Sequence, residues 1–517
     1  MSKAQSFIDC LNIKFILFFF LFVNGRGIAQ FHDHNWILGQ GKPYKNPKPG
    51  GSNEGLMQFN FQTGLNIRLD TNINNICYMS YTCSSISDEK GNLVAYTDGH
   101  NIFDDRHQIM LGGDTINPGN FWQGYLGWGY PISDGAIFLP IPKRNKEYLV
   151  LHKRIEFGMV MGRLPEYKCD KLYVSQFKYD TLQKRYVTWE KNRVLLEGEI
   201  AENEFAVCKH GNGIDYWVVA RKIGEPLYYF FLIDSNGVTL HHEQRIGTAF
   251  FPGDLNGNMI FNRQENQLAR VIPQEGIEIF DFDRCLGKLF NPSLQPFLDT
   301  FLINGNCAFS PSGKYLYVNS IINIYQYEVK KRFNPNYIPI KVGEWDSVLI
   351  ENTYSTLFFT GRLALDDKIY FSVFGTNGYY MHTLHKPEEH GKSCDFRNHD
   401  FLLPNYMDGG LPFFPNFRNG ILKGSACDTA TISKTTDHLL YTNLWQNNLR
   451  ISSSDVDKEY QLDLIITNLE GKLALKKKIV LRQTIDIGLE NLIQGMYILH
   501  ILENNEVIKT DKIVLTR

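Results

Sequence analysis

From Trp36 to Asp428 the chain alternates short apolar runs, rich in Val, Ile, Tyr and Phe, with polar turns built on Gly, Asn or Asp. Such runs fit pleated, half-buried surfaces better than helices. One unit recurs, a polar turn followed by an aromatic and β-branched strand. It reads "DEKGNLVAYTDG" from Asp88, "KRNKEYLVLHK" from Lys143 and "HGNGIDYWVVARK" from His210. It returns as "GDLNGNMIFNR" from Gly253, "SPSGKYLYVNS" from Ser310 and "LALDDKIYFSV" from Leu363. Second strands follow several of the turns, as in "YFFLIDSNGV" and "IEIFDFDRCLGKL". Short strands recurring at intervals of roughly 40 to 70 residues suit propeller blades of about four strands each. The pattern predicts an all-β chain with a six- to seven-bladed β-propeller, seven favoured, over residues 30–428. The early segments "WILG" and "LMQFNFQTG" are expected to complete the seventh blade with strands from the chain's far end.

The pattern changes after Thr429. Residues 429–444 are polar and Thr/Ser/Asn-rich and read as a linker. Beyond them "YQLDLIITNLEGKLALKKKIV" gives two alternating runs hinged at Glu470-Gly471. A strand at "TIDIG", a turn at Gln494-Gly495 and a hairpin at Asn504-Asn505 follow. The expectation for residues 445–517 is a small β-sandwich, with Ile498 and Ile513 in its core and Lys509 and Lys512 near its surface.

Composition adds two constraints. Among 517 residues, 53 Lys and Arg nearly balance 55 Asp and Glu. That balance gives no whole-chain case for nucleic acid or an anionic membrane as partner. At the N-terminus, Lys3 and Lys14 accompany the apolar run "FILFFFLFV" from Phe15 to Val23, and "GIA" precedes Gln30. A helix of that run reaches only about 14 Å, against the roughly 30 Å of a bilayer core. Residues 1–29 therefore read as a secretory signal peptide, with no transmembrane anchor left after its removal. Of the nine cysteines, Cys10 would leave with the signal. The remaining even number permits disulfides in an exported protein without choosing a pairing. No C-x-x-C pair points to a zinc ribbon or redox site.

The tail resembles the type A C-terminal sorting domain of the type IX secretion system of Bacteroidetes-type bacteria. The residues that carry this are "ITNLEGKLALKKKI", "IDIGLENLIQGMYILHI" and "IKTDKIVL", with Gly471, Gly495, Tyr497 and Lys512 at the matching positions. That domain usually opens on an Asn-Pro-rich strand, whereas "LWQNNLRISSSD" carries no proline. The larger region resembles a group of secreted propeller-like proteins that often bear the same tail. "CSSISDEKGNLVAYTDGHNIFDDRHQIM", "FDFDRCLGKL", "FSPSGKYLYV" and "GLPFFPNFRNGILKGSACDT" carry that likeness. The resemblance implies delivery across the outer membrane by the type IX apparatus, to the medium or an outer membrane-associated cell-surface location. It brings no catalytic motif, and a fold by itself fixes no function.

Candidate chemistry is sparse. "HDHNW" sets His32 and His34 on one strand face, where two imidazoles could share a metal. No third ligand accompanies them, and the segment reads as an exposed start of the mature chain. "DLNGNMIFNRQE" places Asp254, Asn256, Asn258, Asn262 and Glu265 at calcium-loop spacing, but Met259 stands where the loop requires glycine. A blade hairpin is the simpler reading, with Ca²⁺ the one cofactor the sequence leaves open. "HHEQR" lacks the second histidine of a zinc-protease helix, and no G-x-S-x-G elbow, phosphate loop or dinucleotide pattern occurs. The most unusual stretch is "GNFWQGYLGWGY" from Gly119. Its Phe121, Trp122, Tyr125, Trp128 and Tyr130 could stack on a glycan or meet a surface protein, or else cover a blade edge as core. Residues and resemblance together point to an exported, non-catalytic binding or interaction protein. The alternative is a secreted hydrolase acting on polysaccharide or peptide from the propeller funnel.

Overall fold

In five of the six recurring units the polar turn joins two consecutive antiparallel strands of one sheet. Leu93–Thr97, Glu147–Met159, Tyr216–Lys222, Tyr315–Asn319 and Ile369–Val373 each pair with the strand before their turn. In the unit from Gly253 the turn lies one strand too early. Met259–Phe261 is the first strand of its sheet, and the hairpin to Gln267–Ile272 turns at "NRQEN" instead. A second Asn-containing polar stretch so close to the first hid the true turn.

The computed structural model describes residues 30–41, 55–159, 165–249, 257–272, 275–297, 305–350, 354–374, 378–428, 440–445, 448–453, 459–468, 472–482, 484–503 and 506–515. The chain forms two compact units, residues 1–420 and 421–517. Both are built almost wholly from strands.

In the first unit an N-terminal sheet contains Asn35–Gln40, Gly55–Asn60, Asn66–Asp70 and Tyr78–Met79. A three-stranded sheet runs from Ser84 to Asp104, and a seven-stranded one from Ala136 to Arg245. Four-stranded sheets begin at Met259, Asn306 and Phe358. The seven-stranded sheet is two blades fused. Its long central strand, Arg185–Lys209, pairs through its first half with Pro165–Asp180 and through its second with Tyr216–Lys222.

Each sheet buries both faces, which explains why its strands read as near-continuous apolar runs. In Tyr216–Lys222, Tyr216, Val218 and Ala220 pack toward the preceding sheet half, while Trp217 and Val219 pack toward the sheet that begins at Met259. In Gln267–Ile272, Leu268 faces back and Ala269 and Val271 face forward. Fully burying a side chain of this size contributes about 1.5–3 kcal/mol. The succession closes on itself: Tyr370, Met381, Leu403 and Met407 of the last sheet share a cluster with Trp36, Ile37 and Leu38 of the first. Face-to-face packing of consecutive sheets around a closed succession is the propeller arrangement. Among the described residues the N-terminal sheet takes no strand from the chain's far end. That end contributes packing and the Asn405 Nδ2 hydrogen bond to the Gly55 carbonyl, 2.7 Å.

After the last sheet, residues 408–420 contact sheets that are not neighbours. Leu411 joins the cluster of the first and last sheets, and Phe413 and Phe417 join that of the seven-stranded sheet. Asn416 bonds to Arg263 and Glu265. Only a segment running through the centre can do this. Gly410 is required there, since a Cβ would sit 2.0 Å from the Ser80 carbonyl oxygen.

The second unit is a sandwich. Leu440–Trp445, Asn448–Ser453 and Thr484–Gly488 form one sheet. Tyr460–Asn468, Leu473–Leu481, Gly495–Glu503 and Glu506–Leu515 form the other. Leu449, Ile451 and Ile487 meet Leu464, Ile466, Leu499, Ile501 and Ile513 between them. Ile513 is core as expected, but Ile498 is not. Period-two alternation turns Tyr497, Leu499 and Ile501 inward and therefore Ile498 outward. Lys512 is exposed and Lys509 half-buried.

The cysteines are mostly not a disulfide framework. Cys77, Cys83, Cys169, Cys208, Cys307 and Cys394 are buried free thiols, whereas Cys285 and Cys427 are in the disulfide state.

Candidate functional site

The Gly119 stretch folds as a short helix, Asn120–Tyr125. The Asn120 N–H donates to the Glu156 carboxylate, 2.8 Å away on the hairpin strand Glu147–Met159. That bond satisfies one of the N–H groups a helix start leaves open. It also docks the helix on the hairpin. Phe121 is buried there, 4.9 Å from the Phe157 ring and 5.0 Å from that of Tyr167, and Tyr125 stacks on Phe121 at 5.6 Å.

The predicted aromatic residues therefore separate. Tyr130 is 0% exposed, and its hydroxyl accepts from the Ile155 N–H at 2.9 Å, so its ring belongs to the core. Trp122 is half-buried, with Nε1 donating to the His100 carbonyl at 3.0 Å. Tyr125 is half-buried and Trp128 is 59% exposed. Two exposed rings that the sequence reading passed over join this surface, Phe157 at 64% and Tyr167 at 49%. Their signal was the exposed register of the hairpin, which alternation alone could not separate from the buried one. Phe121, Tyr125, Phe157 and Tyr167 thus form a contiguous aromatic cluster, open to solvent on one side.

The calcium-spaced residues are engaged otherwise. Asp254 and Asn256 lie outside the described residues. The Asn258 amide exchanges two bonds with the Cys307 backbone, at 2.9 and 3.1 Å, and so ties one sheet to the next. Asn262 orders its own hairpin, accepting from the Asn266 N–H at 3.0 Å. Glu265 is buried and accepts from the N–H of Lys209 (3.0 Å), the N–H of Asn416 (2.8 Å) and Nδ2 of Asn419 (2.7 Å). It anchors the central segment. Among the described residues no group of three or more His, Cys, Asp or Glu is placed to hold a metal ion.

Burial pushes the Glu265 carboxyl up to about 7, against the opposing pull of Asn419, Arg284 and the two backbone N–H groups. The folded unit then holds this proton more tightly than the unfolded chain does. Stability from this site is full below about pH 4.5 and declines as the pH rises to about 7, by a few kcal/mol at roughly 1.4 kcal/mol per pKa unit. The expected result is a flatter dependence of Tm on pH between about 4.5 and 7 for Glu265→Gln than for the parent, by calorimetry. Parallel curves would show that Glu265 does not titrate in this window.

The "HDHNW" segment is buried, not exposed. The His32 ring bonds to the Ser87 carbonyl at 2.7 Å, and Arg418 grips Asp33 through two bonds of 2.7 and 2.8 Å. Burial holds both His32 and His34 below the usual imidazole range. Adjacent polarity hid this, because the partners lie some 50 and nearly 400 residues away in sequence (separations of 55 and 385). The sorting-type residues sit in the sandwich: Gly495 opens the strand Gly495–Glu503, and Tyr497 is buried with its hydroxyl on the Ile493 carbonyl at 3.0 Å. Lys512 lies on the adjoining strand, paired with Ile498, and Gly471 lies outside the described residues.

Residues 440–516 match the secretion system C-terminal sorting domain. The sorting domain thus begins at the strand Leu440–Trp445 and takes in both sheets of the sandwich. It marks the protein for export and for a secreted or cell-surface location, and implies interaction with the secretion apparatus. No curated protein matched the chain. Among solved structures, a putative 6-phosphogluconolactonase from Bacteroides uniformis is 12% identical, over 74% of this chain and 100% of that one, with a TM-score of 0.41. The Cps50 (Swd1) β-propeller domain of Myceliophteria thermophila is 9% identical over 66% and 96%, TM-score 0.33. A functionally unknown protein from Desulfotomaculum acetoxidans is 11% identical over 57% and 79%, TM-score 0.31. At these TM-scores none of the likenesses carries an argument for what this chain does. Among the described residues no helix is long and apolar enough to cross a membrane.

Proposed function

We propose that the protein is a non-catalytic binding protein of the cell surface or medium, with a seven-bladed propeller as its binding unit. On this reading residues 1–29 are a signal peptide, residues 30–428 the propeller, and the stretch before the sandwich a linker. The type IX apparatus carries the protein to an outer membrane-associated or released location. The observation that carries the binding role is the solvent-open aromatic cluster of Tyr125, Phe157 and Tyr167, with Trp128 exposed on the same helix-bearing stretch. Apolar rings held rigidly and left wet are the usual means of stacking on the flat faces of sugar rings. A glycan is therefore the ligand class proposed. The fate of the central carboxylates supports binding over hydrolysis. Asp33 is consumed by Arg418, and Glu265, although its carboxyl is pushed up to about 7, is buried with its oxygens taken up by three N–H donors and so is not presented to a substrate.

Replacing Trp128, Phe157 and Tyr167 together by alanine is expected to abolish retention on a glycan array and lower Tm by only a few degrees, because these rings are exposed. Retention equal to the parent's would overturn the assignment. Trp122 is a poor probe, since its hydrogen bond to His100 makes stability and binding change together.

A further inference from the structure

The strand Gly237–Arg245 lies at the edge of the seven-stranded sheet and carries the adjacent histidines His241 and His242. Neighbouring side chains of a regular strand point to opposite faces. Here they do not. Phe230 pairs with His242 and Phe231 with Leu240, which leaves His241 as the extra residue of a β-bulge. A bulge re-aims the side chain it adds. Both imidazoles accordingly stand nearly perpendicular to one ring, that of Trp217, at centroid distances of 5.0 and 6.1 Å. Their Nδ1 atoms face each other 2.9 Å apart at the exposed surface.

Packing holds the pair in place. His242 stacks on Phe230 with centroids 4.6 Å apart and planes within 2°. Trp217 is fixed by Nε1 donating to the Arg284 carbonyl at 2.8 Å, and a Cβ at Gly287 would come within 2.7 Å of its ring. Burial, then the charges of His241 and Lys288, holds the His242 imidazole below its usual range, which favours the neutral form that ligates metals. The spacing of the donors selects the ion. With metal–nitrogen bonds of about 2.0–2.1 Å, nitrogens 2.9 Å apart subtend about 90° at the metal, whereas tetrahedral Zn²⁺ spreads them to about 3.3 Å. A right angle between nitrogens belongs to tetragonal sites, which suit Cu²⁺ or Ni²⁺. An N–H···N bond between the two rings has the same length, and the metal would take the place of its proton.

We propose that His241 and His242 chelate one divalent transition-metal ion of tetragonal preference, Cu²⁺ ahead of Ni²⁺, through their two Nδ1 atoms, with water in the remaining positions. Two protein ligands are fewer than the three or four of a catalytic or structural site, so the ion exchanges with the medium. The site shares no residue with the aromatic cluster and stands whether or not that surface binds glycan. The test is calorimetric titration of the full exported chain with copper(II), nickel(II) and zinc(II) sulfate. The parent should take up one Cu²⁺ equivalent more than His241→Ala, with Zn²⁺ at least tenfold weaker at that equivalent. His241 is exposed, so His241→Ala should keep the parent's Tm in the absence of metal. His242→Gln should lose the same equivalent and answers the question should His241→Ala not fold. The electron spin-echo difference spectrum between parent and variant should show two equatorial imidazoles on the copper, a readout that needs no variant to gain stability. Full copper uptake by His241→Ala and His242→Gln, a single imidazole in the difference spectrum, or Zn²⁺ binding there as tightly as Cu²⁺ would each overturn the proposal.

Discussion

Removal of residues 440–517 is expected to leave a folded first unit that accumulates in the periplasm and no longer reaches the surface or medium. The two units carry separate cores, so loss of the sandwich exposes none of the inter-sheet clusters of the first. A transporter of folded cargo needs an element it can recognise whatever the cargo's own fold. A compact domain with its own core meets that need. Fusion of residues 440–517 to an unrelated periplasmic protein should carry that protein out. Cell fractionation in a host with the type IX apparatus reads both results. Normal surface or extracellular amounts of the truncated protein would refute the role given to the tail.

Arg270→Met is expected to destabilise the first unit by about 3–5 kcal/mol, the usual cost of leaving buried charge uncompensated. Arg270 is wholly buried and bridges two sheets. It lies 3.5 Å from Glu204 on the strand Arg185–Lys209 and 3.1 Å from Glu278 on Gly276–Asp283, and donates to the Thr248 carbonyl at 2.9 Å. Arg221 completes a four-membered cluster through its pair with Glu204. Burial opposes the charge on Glu204, yet Arg221 and Arg270 hold its carboxyl below the usual range. Glu278 has a single cationic partner, Arg270, and burial raises it. Adding Glu278→Gln to Arg270→Met should therefore recover part of the loss, because the Glu204–Arg221 pair remains intact. Denaturant unfolding of the parent, both single variants and the double variant measures the coupling. A loss below about 1 kcal/mol for Arg270→Met would mean the cluster relaxes or hydrates at little cost.

The architecture was legible because its signal is local. Turns such as Ser310–Lys314 and the runs that follow them lie within a few residues of one another, and burial on both faces leaves those runs unusually apolar. The sandwich was legible for the same reason, down to the hairpin between Tyr460–Asn468 and Leu473–Leu481. The interior polar structure was not. Asp33 finds Arg418, Asp134 finds Arg362, and Tyr78 finds Asp408 across most of the unit's length. No periodicity links such pairs. Glu265 illustrates the difference, since spacing left it a candidate calcium ligand in a blade hairpin while topology makes it the anchor of the central segment. Phe157 and Tyr167 were missed because an aromatic ring in a strand looks the same in sequence whether it faces the core or water.

The long strand Arg185–Lys209 has a consequence for life outside the cell. One strand serves two sheets, with Ile200 paired to Cys169 on one side and to Lys222 on the other. No loop interrupts the chain at that junction. Proteases cut where a segment can be drawn out into their clefts, and a strand laddered to one neighbour up to Ile200 and to the other beyond it offers less slack than a loop. For an exported protein among extracellular hydrolases, this junction replaces a vulnerable linker with backbone that must first open from a sheet to be cut.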